Sequence, residues 1–349
     1  MCIILRNSGK GNERCCQMKA VGLTKESTSF VDLEIAQPVP ENHDLLVQIK
    51  AISINPVDTK QREATKLKEE EVKILGWDAV GEVVDTGSKV SLFKTGQEVY
   101  FAGDVTRPGS YAEFTLIDER LVGLKPKKLS LEEAAAMPLT TITAWEALVE
   151  RLGITEDDNG KSILIINGAG GVGSIATQLA ANMGLEVIST ASRPETIEWT
   201  QKHGANYVIN HREDITKQLA NLGFEKGVDF ILCLHDTNAH WDEMQKAIRP
   251  QGEICSIVEL SEPVEMSLLK DKSATFSYEF MFTRSKYDTE DKIKQHEILT
   301  EAARMLDIGA LTTTLNKVLS PINAATIEEA HTIISSGKMI GKLVVKGFD

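Results

Sequence analysis

At 349 residues the chain is longer than one hydrophobic core usually supports, so two domains are expected. Its hydrophobic content of 42% and mean hydropathy of −0.14 describe an ordinary soluble fold, and no apolar run approaches a membrane span. A formal net charge of −13 repels nucleic-acid backbones and anionic bilayers, which excludes both as partners.

Residues 1–17 hold only a short apolar patch at 2–5, followed by Arg, Lys, Gly and Asn, too little for a signal sequence. They read as a disordered extension, with the fold starting at Met18. Candidate strands follow at 45–54, 80–85, 98–102 and 111–117, punctuated by Gly76, Gly81, Gly87, Gly96, Gly103 and Gly109. That pattern predicts a compact β-rich unit. The charged run 66–73, with Glu69, Glu70 and Glu71 in succession, reads as a solvated helix face. Residues 131–150 look helical, interrupted by Pro138.

From 162 onward strands and helices alternate. Strands are predicted at 162–167, 186–191, 206–209, 228–234, 253–258 and 274–281, with helices after the first three and at 240–248. Pro194 suits the first turn of the second helix and Gly204 its end. Six strands in this rhythm predict a doubly wound parallel sheet. A helix at 290–306, a strand at 316–319, a helix at 324–335 and a strand at 342–346 then return to complete the first unit. The expected division is therefore 18–142 with 284–349, and 143–283.

The most informative segment is 162–184. An apolar strand ends at Ile166, and Gly168, Gly170 and Gly173 follow in G-x-G-x-x-G spacing before a helix that closes at Gly184. In this pattern the first glycine permits the tight turn, the second removes bulk beneath a pyrophosphate, and the third lets helix and strand approach. Phosphate oxygens then meet backbone N–H groups of Gly170, Gly171, Val172 and Gly173 at the helix N-terminus. A carboxylate that would hold an NAD ribose belongs about 20 residues further on. The chain has Thr190-Ala191-Ser192-Arg193 there, with His211 and Arg212 after the third strand. Ser192, Arg193 and His211 suit a 2′-phosphate, so the expected cofactor is NADP(H).

Cysteines stand at 2, 15, 16, 233 and 255 without C-x-x-C spacing, a pattern of a reducing cytoplasm. Cys233, His235, Asp236 and His240 lack the spacing of a standard metal site, and loop hydrogen bonding near the nicotinamide is the plainer role for His235.

Several separated segments resemble the medium-chain dehydrogenase/reductase superfamily over nearly all of 18–346. They are Ile54-Asn55-Pro56-Val57-Asp58, the 75–83 run through Gly76-Trp77-Asp78, Gly109-Ser110-Tyr111-Ala112-Glu113, the 134–148 helix with Met137-Pro138-Leu139-Thr140, the glycine turn, and Gly341-Lys342-Leu343-Val344-Val345. Within it the chain resembles the NADPH:quinone reductase branch and its zinc-type alcohol dehydrogenase-like subgroup, through 279–285 and 235–238. The resemblance implies an α/β chain in which a GroES-like β-rich catalytic domain joins a Rossmann domain, with a cleft between the two. It also implies a homodimer paired through the strand near 274–281.

Zinc members of the superfamily place a cysteine where this chain has Asn55, a His-Glu pair at Trp77-Asp78, and a further cysteine near Pro138-Leu139-Thr140. The ligand set is gone, and no cysteine lies between 17 and 232 to build a four-cysteine site. No metal is expected. Without a Lewis acid, a plain alcohol has nothing to lower its proton affinity. A quinone or enone spreads the arriving charge over its own π system, so the expectation is hydride transfer from NADPH to a small conjugated carbonyl compound. Asn55 is the expected donor to substrate oxygen or nicotinamide ribose, Asp58 the organiser of that segment, and Thr140 or Thr141 the holder of the carboxamide. Tyr111 reads as core packing. The alternatives are a zinc-dependent alcohol dehydrogenase, a non-catalytic NADPH-binding or sensing protein, and a lyase on this fold.

Overall fold

The computed structural model describes residues 16–27 and 29–348. The expected extension at 1–17 therefore lies outside the described residues except for Cys16 and Gln17. The chain divides into two compact units, one ending at Leu139 and resuming at Phe282, the other running Thr140–Met281.

The first unit opens with β1 (Gln17–Thr24), β2 (Val31–Ala36) and β3 (Asp44–Ile54). Asn55 then caps α1 (Pro56–Ala64), where Pro56 supplies a fixed φ at a position whose N–H needs no helical partner. After it come β4 (Val72–Lys73), β5 (Ala79–Thr86), β6 (Glu98–Phe101), β7 (Phe114–Asp118) and β8 (Val122–Leu124). Ser130 and Glu133 form a reciprocal cap on α2 (Leu131–Ala135), and α3 (Pro138–Trp145) follows. The charged run 66–73 is not a helix: it turns at Glu70 (φ +64°) and ends in β4, which pairs with β1. Leu67 and Val72 alone cannot supply an apolar stripe, and three adjacent glutamates repel one another. Tyr111 stands before β7, because the backbone of Ser110 and Tyr111 bonds to Gly76 and Leu75 instead of continuing the ladder.

In the second unit a π-helical turn (Glu146–Arg151) leads to β9 (Ser162–Ile166), buried along its whole length as a central parallel strand should be. Then follow α4 (Gly171–Asn182), β10 (Glu186–Thr190), α5 (Pro194–Lys202), β11 (Tyr207–Ile209), α6 (Ile215–Asn221), β12 (Val228–Cys233), α7 (Thr237–Ala247), β13 (Ile248–Ser256), α8 (Ser267–Lys272) and β14 (Thr275–Tyr278). All six strands are parallel, in the order β11-β10-β9-β12-β13-β14. This is the doubly wound Rossmann order, with the sequence direction reversing beside β9. Leu164, Ile166, Ile188, Ile231, Met244, Ile248 and Trp241 fill its core.

The first unit resumes with α9 (Thr283–Lys286), α10 (Lys294–Ile308), β15 (Leu315–Leu319), α11 (Ala324–Ser335) and β16 (Lys342–Lys346). Its main sheet runs β15-β16-β3-β5-β6-β8, with β7 also on β3, so the returning strand β16 lies against the long strand β3. This is the GroES-like β-rich architecture.

Candidate functional site

In the Rossmann unit, β9 delivers the chain to Asn167, which takes the left-handed backbone conformation (φ +71°). The sequence reading gave the tight turn to Gly168; the turn residue with positive φ is Asn167, a type that tolerates it through short local hydrogen bonds. The Thr190 hydroxyl accepts from the Asn167 N–H at 2.9 Å and the Thr190 carbonyl from the Gly168 N–H at 3.1 Å. Gly168 is needed for space, since a Cβ there would stand 2.7 Å from Ser189 Oγ. A Cβ on Gly173 would stand 2.4 Å from the Asn167 carbonyl oxygen, within fixed backbone. Gly170 is less confined, with Asn167 Nδ2 at 3.2 Å from such an atom.

Gly170 is the N-cap of α4 and carries no capping side chain. The N–H groups of Gly171, Val172 and Gly173 thus form the open first turn of a twelve-residue helix, the arrangement that receives an anion. Ser192 and Arg193 follow β10 directly. The cap of α5 is Arg193, whose N–H donates to Thr196 Oγ1 at 3.0 Å, so Ser192 is not used for capping. The Arg193 guanidinium is one-third exposed and meets Glu195 at 3.3 Å. His211 follows β11; burial lowers its pKa, as do His240, Arg212 and His235, so three imidazoles and a guanidinium share one neighbourhood. In the second unit Thr141 is fully buried and its Oγ1 has no hydrogen-bond partner.

The loop after β12 does not gather ligands. Cys233 Sγ donates to the His235 carbonyl at 2.9 Å, and burial raises its thiol to about 11. Asp236 caps α7 through Ala239 N at 3.0 Å, and His240 meets Glu243 at 3.5 Å.

In the first unit a buried ionic cluster surrounds the β3–α1 junction. Asp58, in the first turn of α1, accepts from the Asn55 N–H at 2.7 Å. Asn55 Nδ2 donates to Asp78 Oδ2 at 3.1 Å, and the Lys342 ammonium donates to Asp78 Oδ2 at 3.0 Å, to the Ile54 carbonyl at 3.4 Å and to Asn55 Oδ1. Leu139 N–H closes on Asp78 Oδ1 at 3.2 Å. None of the four polar side chains is more than 3% exposed. Burial drives the Asp58 carboxyl up to about 7, against the Asn55 N–H and Lys342, which favour its ionised form. Burial likewise raises Asp78, opposed by Lys342. Tyr111 lies beside this cluster: its hydroxyl contacts His331 Nε2 at 3.0 Å, burial and then the nearby Asp58 carboxyl raise its phenol, and Asp58 Oδ1 has no hydrogen-bond partner.

Residues 41–127 match the family model described as alcohol dehydrogenase GroES-like domain, and 203–345 that described as zinc-binding dehydrogenase. A Staphylococcus epidermidis protein named zinc-type alcohol dehydrogenase-like is 43% identical, over 94% of this chain and 99% of its own. The chain is a medium-chain dehydrogenase/reductase. As such it is an oxidoreductase of the zinc-type alcohol dehydrogenase-like group. A solved structure from Rhizobium etli CFN 42, provisionally described as a zinc-dependent alcohol dehydrogenase, superposes on it with a TM-score of 0.90 at 44% identity, covering 95% of this chain and 99% of the other. A chloroplast protein of Arabidopsis thaliana named NADPH-dependent alkenal/one oxidoreductase is 32% identical over 65% of this chain and 58% of its own.

The zinc in these descriptions does not fit the residues that this medium-chain dehydrogenase/reductase carries. Asn55 has both ends of its amide engaged, the Trp77 indole N–H is spent on the Asp104 carbonyl at 2.9 Å and offers no lone pair, and Asp78 already holds an ammonium. A dication beside Lys342 would meet repulsion, and the zinc-ligand positions offer it one carboxylate, Asp78, where zinc requires three or four donors. The sequence pattern assigns no role to Lys342 in the cluster or to His331 beside it. Lys342 carries a signal, a lone charge heading the apolar run Leu343-Val344-Val345. His331 carries none, since its partner Tyr111 is 220 residues away.

Proposed function

We propose that the chain is an NADPH-dependent reductase of small conjugated carbonyl compounds that works without catalytic zinc. The observation that carries this reading is the ammonium of Lys342, held by Asn55 and Asp78 at the positions where zinc members carry metal ligands. With no Lewis acid to acidify an alcohol, the acceptor must delocalise the charge it receives, as a quinone or enone does. The Arabidopsis relative named for alkenal and enone reduction supports the same substrate class. When bound, the nicotinamide supplies hydride, and the medium supplies the proton that completes reduction of the double bond.

The residues fit that coenzyme. The open N–H groups of Gly171, Val172 and Gly173 hold pyrophosphate oxygens, with Gly170 giving room for them. Thr141 Oγ1, buried without a partner, suits the carboxamide. Ser192, Arg193 and His211 follow the ends of β10 and β11, where no carboxylate takes the ribose position after β10; Arg193 would exchange its Glu195 partner for a 2′-phosphate, and His235 lies in the same neighbourhood. Asn55 and Asp58 set the polarity of the substrate side, Asp58 by fixing the Asn55 backbone. Pairing of two copies through the edge strand β14 completes the reading, supported by Tyr278 and Phe280, exposed by 46% and 44%. A cytoplasmic setting agrees with Cys233 and Cys255, both buried free thiols.

Steady-state oxidation of NADPH with a panel of quinones and enones tests the reading. Turnover with enones by protein that elemental analysis finds free of zinc is the expected result. Tight NADPH binding with no turnover on any acceptor would replace it with a sensing role.

A further inference from the structure

Reduction of a conjugated double bond consumes a proton for every hydride, and the first unit contains a route for one. A cavity of about 850 Å³ lies against α1 and α11, lined among others by Thr59, Arg62, Thr65, His331 and Ser335. His331 forms part of that wall, yet it is only 2% exposed, and its Nδ1 has no hydrogen-bond partner. Its other nitrogen meets the Tyr111 hydroxyl at 3.0 Å, and that hydroxyl stands beside the Asp58 carboxyl. Every group in this series can both accept and donate a proton, the imidazole through its two nitrogens.

We propose that His331, Tyr111 and Asp58 form a proton relay leading from the cavity to the 55–58 turn. In the resting state Tyr111 accepts from the Nε2–H of His331, and its own hydroxyl proton turns to the unpartnered Asp58 Oδ1 when the relay operates. A proton from cavity water binds His331 Nδ1, the Nε2 proton passes to the Tyr111 oxygen, and the Tyr111 proton passes to Asp58. One O–H bond forms at Asp58 and one N–H bond at Nδ1, while one N–H bond breaks at Nε2 and one O–H bond breaks on the cavity hydronium, which leaves as water. The tyrosine exchanges one proton for another, and the charge carried inward is one. No oxidant or reductant takes part.

The surroundings suit each station. Burial holds His331 down at about 4, assisted by the Arg62 guanidinium and opposed by Glu328, so the imidazole rests neutral with a lone pair available. Burial raises the Tyr111 phenol, so it conducts without resting as phenolate. Asp58 faces Lys342 from β16 and Asp78 from the segment before β5, two carboxylates against one ammonium, so an added proton neutralises the cluster. Use of this proton in turnover rests on the function proposed above; the relay itself does not.

Infrared spectroscopy of the full chain without coenzyme or acceptor separates the two. A protonated-carboxyl band, missing in Asp58→Asn, should vanish as pH rises through about 7. After a rapid drop in pH it should return about tenfold more slowly in Tyr111→Phe and in His331→Gln, which keeps an N–H toward Tyr111 but cannot pass a proton. A purely structural role would shift the midpoint and leave the rate alone. Return at the wild-type rate in both variants, or no Asp58 band at any pH, would overturn the relay. An intact relay in a chain without reductase turnover would instead count against the reductase alone.

Discussion

The two polar assemblies of this chain are built on opposite plans. The glycine turn of the Rossmann unit leaves its donors open: no side chain caps α4, and the Gly171, Val172 and Gly173 amides point past a turn cleared of side chains. The cluster at the β3–α1 junction is closed upon itself, with Asn55, Asp78 and Lys342 satisfying one another at exposures of 3% or less. Open donors mark a place for a ligand, whereas closed ones mark a structural charge. The first plan can receive an anion, and the second holds its charges against one another.

Removing Lys342 should break this contrast most severely. Lys342→Met leaves two buried carboxylates without a counter-charge, and chemical denaturation should register a loss of about 3–5 kcal/mol. An unchanged midpoint would mean that the ammonium is incidental. Asp58→Asn acts in the other direction. The folded protein holds the Asp58 proton up to about pH 7, whereas the unfolded chain releases it near the ordinary aspartate value of 3.8. Folded protein therefore binds the extra proton between these limits, and wild-type stability falls as pH rises through that window. Asp58→Asn removes the fall, so its advantage should grow across the window to as much as about 4 kcal/mol and then level off. Thermal melts at acid and alkaline pH check the sign; a variant less stable at alkaline pH would refute it.

Within the open site, two glycines sharpen the comparison. Gly173→Ala drives a methyl into the Asn167 carbonyl and should cost about 1–3 kcal/mol of stability together with coenzyme binding. Gly170→Ala, with its neighbour at 3.2 Å and an ordinary φ of −73°, should leave the melting temperature nearly unchanged while weakening NADPH binding by about tenfold. Calorimetric titration separates the two outcomes, and equal stability losses would erase the distinction. The smallest effect is selective. Arg193→Ala should reduce NADPH affinity by about tenfold and leave NADH affinity unchanged, whereas equal losses would remove Arg193 from the 2′-phosphate.

What was legible in the sequence was what local pattern encodes. The buried run 162–166, the glycine spacing, Pro194 at the start of α5 and the strand at 342–346 depend on neighbours within a few residues, and each is found where its pattern puts it. The 66–73 run misled because charge alone sets no period. The ionic cluster was hidden for another reason: Asn55 and Lys342 are 287 residues apart, and no periodicity connects them. Asn55 is the expected donor to substrate oxygen or nicotinamide ribose, and its amide meets Asp78 and Lys342, the latter a residue that no local pattern places beside it.

The pairing of β3 with β16 has one more consequence, for the order of events during synthesis. Ile54 meets Lys342 only after 288 further residues have been made, and the whole Rossmann unit lies between them. At ordinary elongation rates that interval is on the order of tens of seconds. During it the nascent β3 presents an unpaired edge and a buried-type carboxylate pair without its cation. The emerging chain should therefore lean on chaperones until β16 arrives, and ribosome-stalled fragments ending before residue 342 should be readily cut by protease in the first unit while the second resists.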